Sequence, residues 1–101
     1  MEKEVIWTAQ AKDDLLKIYE FNSFILGEEK AYSLIEALVE KVDVLYQTIP
    51  GGTRYISERH PEINYQKLVY SHYLIFYREE GKRIFVIKIF DARQNPEKLI
   101  L

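Results

Sequence analysis

The feature that most constrains this chain is an apolar run near its C-terminus, from Ile84 to Phe90. The run is long enough for one strand, and only Lys88 interrupts it. Because both alternating faces are apolar, we expect a strand that is covered on both faces and lies inside a sheet. The run stops at Asp91, where hydrogen-bonding residues follow directly. A rigid strand with polar groups at its end predicts a candidate site at that end.

Length and composition predict one soluble globular domain over residues 1–101. The chain has room for a single core, and it is 48% hydrophobic and 30% charged. It has no cysteine and only two histidines, so we expect no disulfide, no metal site and no cofactor. The N-terminal residues lack the basic and apolar regions of a signal peptide, and no apolar run reaches membrane-spanning length. These features predict a cytoplasmic protein without a membrane partner.

Charge is distributed unevenly along the chain. Residues 1–53 carry five Lys and Arg against ten Asp and Glu, a net charge of −5. Residues 54–101 carry nine Lys and Arg against six Asp and Glu, a net charge of +3. The basic half is therefore also the half with the polar strand end. Such a distribution permits an anionic partner there but does not require one.

The first half of the chain predicts a short strand and two helices. Residues 4–7 are β-branched and aromatic, and Thr8 occupies the position of an N-cap. Gly27 separates the two helical patterns, and residues 50–52 end the second near Gln47. The connection is short, so we expect an antiparallel helical hairpin. Its apolar stripes are Ala11, Leu15, Ile18, Asn22 and Ile25 on the first helix, and Ala31, Leu34, Ile35, Leu38, Val42, Leu45 and Ile49 on the second.

The second half predicts a loop and three strands. Residues 53–64 show no period and contain Pro61, whereas residues 65–71, 73–79 and 83–90 have strand composition and short connections. On the first of these strands, Leu68 and Tyr70 are predicted to face the helices. The complete order is β-α-α-β-β-β. We therefore predict an α+β fold in which a helical hairpin packs on one face of a mainly antiparallel four-stranded sheet.

The polar strand end supports two interpretations. Asn95 and Pro96 have the composition of an ordinary turn, with Arg93 as a solvated side chain. Alternatively, an Arg at the end of a rigid strand can bind a phosphate or carboxylate with two hydrogen bonds. Asp91 would then orient Arg93 or another cation. Elsewhere, His60 lies in the loop and Arg78 near a hairpin turn, positions that are usually exposed.

Taken together, these segments resemble the RelE/ParE superfamily of bacterial type II toxins over nearly the full length. The resemblance is carried by residues 6–8 (I-W-T), 11–20 (A-K-D-D-L-L-K-I-Y-E), 45–52 (L-Y-Q-T-I-P-G-G), 68–77 (L-V-Y-S-H-Y-L-I-F-Y) and 89–99 (I-F-D-A-R-Q-N-P-E-K-L). It implies a growth inhibitor that a cognate antitoxin neutralises. ParE-like members poison DNA gyrase, and RelE-like members cut mRNA on the ribosome without a metal.

For an mRNA-cleaving role, the resemblance implies Lys67, Arg78 and Arg93 as catalytic residues. His60 or Asp91 would have to transfer protons, because Arg supplies mainly charge stabilisation. Two departures weaken this role: Gln66 stands where the superfamily often has Arg, and Asp91 where it often has His. A ParE-like gyrase poison is therefore slightly favoured over a ribosome-dependent RNase. A protein with the toxin fold but without activity is the third alternative.

The resemblance also implies protein partners, namely the antitoxin and either gyrase or the ribosome with its mRNA. The chain would form an oligomer through the antitoxin or as a homodimer. The residues expected to contact the target or the antitoxin are Arg54, Arg59, Tyr65, Gln94 and Asn95.

Overall fold

The computed structural model describes residues 4–47, 53–94, 96–99 and 101. Asn95, expected to contact a partner, lies outside them. In chain order, the elements are β1 (Glu4–Trp7), α1 (Ala9–Leu26), α2 (Glu28–Gln47), β2 (Thr53–Tyr55), β3 (Tyr65–Tyr70), β4 (Tyr73–Glu80), β5 (Arg83–Asp91) and a short 3-10 helix (Pro96–Lys98).

The strands form one sheet in the order β1-β5-β4-β3-β2. Strand β1 pairs with β5 in parallel, and the other pairs are antiparallel. The predicted α+β fold and the interior position of β5 are confirmed. The predicted number of four strands is wrong, because Thr53–Tyr55 adds a fifth strand in the segment expected to be a loop. Three residues are too few to show a period of two, and pairing with residues 65–67 of β3 makes them a strand.

Thr8 joins the first strand, the first helix and β5. Its hydroxyl accepts a hydrogen bond from the backbone N–H of Ala11 at 3.2 Å, which confirms the predicted N-cap. The same hydroxyl donates to the carbonyl of Val86 at 2.7 Å, and the Thr8 backbone N–H donates to that carbonyl at 3.2 Å. One residue therefore begins α1 and fixes its start against the sheet.

The helical hairpin turns at Gly27, whose φ of 93° suits glycine. Most of the predicted apolar stripes face the sheet, with Ala31 and Leu38 fully buried. Ile25 was expected on the buried stripe of α1, but its side chain is 57% exposed. The last turn of α1 is the reason, because Phe24 and Leu26 beside it are also exposed and α1 therefore ends in solvent. The side chain of Leu45 and residue Ile49 lie outside the described part of the chain.

The hydrophobic core lies between the hairpin and one face of the sheet. Leu68 belongs to this core and Tyr70 packs against it, which confirms the predicted orientation of β3. In the described part of the chain, neither helix has the length and apolar content needed to cross a membrane. The core residues are Ala11, Leu38, Val42, Leu68, Tyr73, Ile75, Tyr77, Ile84, Val86 and Ile89.

The opposite face of the sheet also carries a buried aromatic residue. Phe76 is fully buried there, and its ring meets that of Tyr55 edge-on at 4.8 Å. The buried Ser57 hydroxyl donates to the carbonyl of Leu101 at 3.3 Å and accepts from the backbone N–H groups of Arg59 and His60. These bonds hold the loop and the C-terminal residues together.

Candidate contact site at the end of β5

The end of β5 carries a compact ion pair. Asp91 is the last residue of the strand and pairs with Tyr73 of β4. The guanidinium of Arg93 turns back onto Asp91, with Nη2 at 2.8 Å from Oδ2 and Nε at 3.0 Å from Oδ1. The Arg93 backbone N–H also donates to Oδ1 at 2.9 Å. Asp91 therefore orients Arg93 in the bidentate geometry that Arg uses for carboxylates and phosphates.

The two side chains differ in exposure, and each changes the pKa of the other. Asp91 is 12% exposed and Arg93 is 55% exposed. The pKa of Asp91 is lowered, chiefly because Arg93 donates side-chain hydrogen bonds to it, while burial opposes the change. The pKa of Arg93 is raised, chiefly by its hydrogen bond to Asp91. At neutral pH the pair is therefore fully ionised, with the carboxylate anchored in the sheet and the guanidinium near solvent.

Backbone hydrogen bonds fix the turn that follows. The N–H of Ala92 donates to the carbonyl of His72 at 2.7 Å, and the N–H of Gln94 donates to the carbonyl of Asp91 at 3.0 Å. The side chain of Gln94 is exposed beside Arg93. The segment is thus an ordered turn that also presents two polar side chains, so the turn and site interpretations are compatible.

A buried carboxylate on α1 supports the strand just before this end. Opposite the step from Phe76 to Tyr77 on β4, strand β5 has Ile87 as one extra residue between Val86 and Lys88. Asp14 is 8% exposed, and its Oδ2 accepts from the backbone N–H of Ile89 at 3.0 Å. Gln10 donates to its Oδ1 at 2.9 Å, and Lys88 Nζ lies 3.8 Å from the same oxygen. Asp14 therefore ties α1 to the irregular part of β5 and thereby positions Asp91 and Arg93.

A pocket of about 350 Å³, here called the exit pocket, lies between α1 and the end of β5. A smaller cavity of about 200 Å³ shares part of its lining and adds Asp14 and Lys88. The exit pocket is lined by Lys17, Ile18, Phe21, Asn22, Tyr73, Asp91, Arg93, Gln94 and Lys98.

The other two residues implied as catalytic lie elsewhere on the sheet. Lys67 on β3 pairs with Phe76. Arg78 lies five residues along β4 from Tyr73, the partner of Asp91, which is a distance of about 17 Å along the strand. The guanidinium of Arg78 pairs with Glu80 and lies 4.5 Å from the ring centre of Phe85. The structure thus places Arg78 and Arg93 at opposite ends of β4.

The predicted contact residues of the basic half form a second neighbourhood. Arg54 is an exposed residue of the edge strand β2, whereas Tyr65 is 5% exposed and pairs with Tyr55. Arg59 lines a cavity of about 590 Å³ between the loop after β2 and the C-terminal residues. His60 Nδ1 lies 3.5 Å from a carboxylate oxygen of Glu62. Arg54 lies away from the exit pocket, because β2 and β5 are separated by two strands. The cavity that Arg59 lines is nearer, since Glu97 lines that cavity and Lys98 lines the exit pocket.

Sequence reasoning did not identify the α1 contribution to the site. Asp14, Lys17 and Phe21 all line the cavities beside the end of β5, and Asp14 also accepts a hydrogen bond from Ile89. One signal was available for Asp14, since it lies next to the apolar stripe three residues after Ala11 and four before Ile18. A carboxylate in that position requires a buried partner. No comparable signal exists for Lys17 and Phe21, whose position over the end of β5 depends on helix packing.

Comparison with known proteins identifies the family. A family model described as the ParE toxin of the type II toxin-antitoxin system parDE matches residues 5–96. This chain belongs to the ParE toxin family. The match runs from β1 to the start of the 3-10 helix and includes the end of β5. No match was found among curated proteins.

A solved structure supports the same assignment for this ParE family member. The chromosomal ParDE toxin-antitoxin system from P. aeruginosa contains a chain that is 25% identical in sequence, with a TM-score of 0.66. The alignment covers 90% of the present chain and 97% of that chain. The resemblance to the RelE/ParE superfamily predicted from the sequence is therefore confirmed.

Proposed function

We propose that this ParE family member inhibits bacterial growth by binding DNA gyrase and that a cognate antitoxin neutralises it. The observation that carries the proposal is the family match over residues 5–96. The ParDE system of P. aeruginosa supports the antitoxin part, since it is a toxin-antitoxin system by description. We place the action in the cytoplasm, where both proposed partners are found.

The geometry favours a contact role over ribonuclease chemistry. A metal-independent nuclease needs a proton-transferring group and cations around one phosphate. Here Arg78 and Arg93 are held at opposite ends of β4, and each is engaged by a carboxylate. Arg93 lowers the pKa of Asp91, so at neutral pH this carboxylate has no proton to donate and is a weak base. We therefore assign Arg93 and Gln94 to target contact and treat mRNA cleavage as an outcome to be tested.

Expression from a tightly repressed promoter tests this proposal. We expect filamentation and induction of the DNA-damage response while bulk mRNA stays intact. Rapid arrest of protein synthesis with mRNA cut at codon boundaries would show the RelE-like activity instead. Normal growth at a verified protein level would show an inactive member of the family. Co-expression of the reading frame encoded next to the toxin gene should restore growth if that frame encodes the antitoxin.

A further inference from the structure

The exit pocket contains two buried polar side chains that the proposed contact role leaves unused. Asn22 on α1 is 7% exposed and Tyr73 on β4 is 1% exposed, and both line the pocket. The Nδ2 atom of Asn22 donates to the Ile18 carbonyl at 2.7 Å and to the Tyr73 hydroxyl at 3.4 Å. Because a carbonyl can only accept, the atom beside it must be the amide nitrogen. The Tyr73 oxygen is therefore the acceptor of the second bond.

The Tyr73 hydroxyl keeps its own proton available for donation. In the described part of the chain, its one hydrogen bond is the bond that it accepts from Asn22. Burial raises the pKa of this phenol and the charge of Asp91 raises it further, whereas the bond from Asn22 lowers it. The hydroxyl is thus protonated at neutral pH. A buried donor without an acceptor is unfavourable, so a group that enters the pocket and accepts this proton is favoured.

The wall beside this donor is apolar. Ile18 and Phe21 from α1 lie along it together with the Tyr73 ring, around a cavity of about 350 Å³. Small-molecule sites in proteins have this range of volumes, with mainly apolar walls and a few oriented polar groups. The lining therefore fits a compound that joins a hydrogen-bond acceptor to a compact apolar group.

The charged groups around the pocket select against a charged compound. Lys17 already pairs with Asp13 at 3.0 Å. Arg93 already pairs with Asp91 at 2.8 Å, and the Asp91 carboxylate would repel an anion that enters beside it. Lys98, the remaining cation of the lining, is exposed, and a charge pair at an exposed position contributes little. A neutral acceptor has neither to replace an existing partner nor to approach a like charge.

We propose that the exit pocket binds a small uncharged carbonyl compound with an aromatic or branched apolar group, whose oxygen accepts a hydrogen bond from the Tyr73 hydroxyl. The apolar group would lie against Ile18 and Phe21. The inference goes beyond the proposed function, because it assigns a small-molecule site and does not depend on the identity of the toxin's target. Arg93 and Gln94 line the same pocket, so a bound compound lies at the contact end of the molecule.

Three compounds of similar shape test the proposal with the full chain. Acetophenone has a neutral carbonyl group, α-methylstyrene has a methylene group in place of the oxygen, and benzoate carries a charge. Binding is measured by NMR titration of the side-chain amide signals of Asn22. We expect acetophenone to shift these signals at lower concentration than benzoate does. The ratio of the affinities for acetophenone and α-methylstyrene is then compared between variants, because this comparison cancels the different ease of removing the two compounds from water.

Three variants assign the roles of the residues. Tyr73→Phe removes the donor and keeps the ring, so the ratio should fall about three- to ten-fold. Phe21→Ala should weaken binding of both compounds and leave the ratio unchanged. Tyr32→Phe removes the hydroxyl of an exposed tyrosine that does not line the pocket and is the matched control. Thermal unfolding verifies that each variant is folded. If Tyr73→Phe is not, nuclear Overhauser contacts between acetophenone and the Tyr73 ring of the wild type decide whether the compound lies there.

Each contrary result has a definite meaning. No binding of acetophenone up to its solubility limit, or binding without contact to Tyr73, would overturn the site. An unchanged ratio in folded Tyr73→Phe would refute donation by the hydroxyl. Tighter binding of benzoate than of acetophenone would show an anion site and contradict the proposal. Growth inhibition is measured separately, so a toxic protein that ignores acetophenone would overturn this inference alone.

Discussion

The two ends of β5 differ in burial and in the chemistry of their side chains. At its start, Ile84 and Val86 are fully buried under the helical hairpin, and Thr8 bonds to the Val86 carbonyl. At its end, Asp91 and Arg93 form an ion pair beside a pocket, with the guanidinium near solvent. Burial of apolar side chains at the first end stabilises the fold. The second end presents a carboxylate and a guanidinium in a fixed arrangement. The comparison teaches that the residues that stabilise the fold and the residues that are available for contact lie at opposite ends of one nine-residue strand.

The largest effect should follow truncation at the buried end. Ile84→Ala removes a fully buried side chain and leaves a cavity, so we expect the free energy of unfolding to fall by about 2–5 kcal/mol. Urea denaturation followed by circular dichroism measures the change. Val69→Ala, at an exposed position of β3, is the control and should stay within about 0.5 kcal/mol. Similar losses in the two variants would show that the buried end is not the main source of stability.

The buried hydrogen bond between Ile89 and Asp14, just before the end of the strand, should be the next most sensitive point. Asp14→Ala leaves the buried N–H of Ile89 without its acceptor, and we expect a loss of about 1–3 kcal/mol. Asp14→Asn keeps an oxygen that can accept this hydrogen bond and should recover part of the loss. The same denaturation assay applies. Full stability in Asp14→Ala would mean that the buried carboxylate does not hold the irregular part of β5.

Removal of the N-cap should cost less. Thr8→Ala loses the acceptor for the Ala11 N–H and the donor to Val86, and we expect a loss of about 1 kcal/mol. Thr8→Ser keeps the hydroxyl and serves as the control. If Thr8→Ser were as unstable as Thr8→Ala, the methyl group rather than the hydroxyl would be the important part.

The ion pair at the contact end should contribute little, and only above acidic pH. The folded-state pKa of Asp91 lies below the unfolded value of about 3.9, so its stabilisation is present above that pH. It is lost as the pH falls through the folded-state pKa. Because Arg93 is mostly exposed, we expect about 0.2–1 kcal/mol. The difference in unfolding free energy between the wild type and Asp91→Asn, measured from pH 6 to pH 2, should shrink on acidification; a constant or growing difference would contradict this assignment.

Much of the fold could be predicted from the sequence, because local patterns determine it. Thr8, Gly27 and the apolar run of β5 mark the ends and the burial of their elements without reference to distant residues. Strand β2 could not be predicted, since three residues become a strand only by pairing with β3. Ile25 matched the helical period but lies beyond the edge of the core. The helical period of apolar residues does not show where a helix extends beyond the sheet on which it packs.

The site could be predicted only in part, for a related reason. Asp91, Arg93 and Gln94 are neighbours in sequence, so their grouping at the end of β5 is visible in the chain itself. The α1 side of the exit pocket depends on how the helix packs across the sheet. No sequence pattern around Lys17 and Phe21 indicates that they line this pocket. The same limit applies to Lys67 and Arg78, whose distance from Arg93 follows from strand register.

The comparison between the two ends is tested most directly by two exposed arginines, one at the start of β5 and one just after its end. Arg83 begins β5 and lies 3.7 Å from Glu4, and Arg93 follows its end and pairs with Asp91. Growth inhibition on induced expression is compared for Arg83→Ala and Arg93→Ala, together with the unfolding free energy of each purified variant. We expect Arg83→Ala to stay within about 0.5 kcal/mol of the wild type and Arg93→Ala within about 1 kcal/mol, and only Arg93→Ala to lose toxicity. Full toxicity of a folded Arg93→Ala protein would contradict the assignment of the contact site to the end of β5.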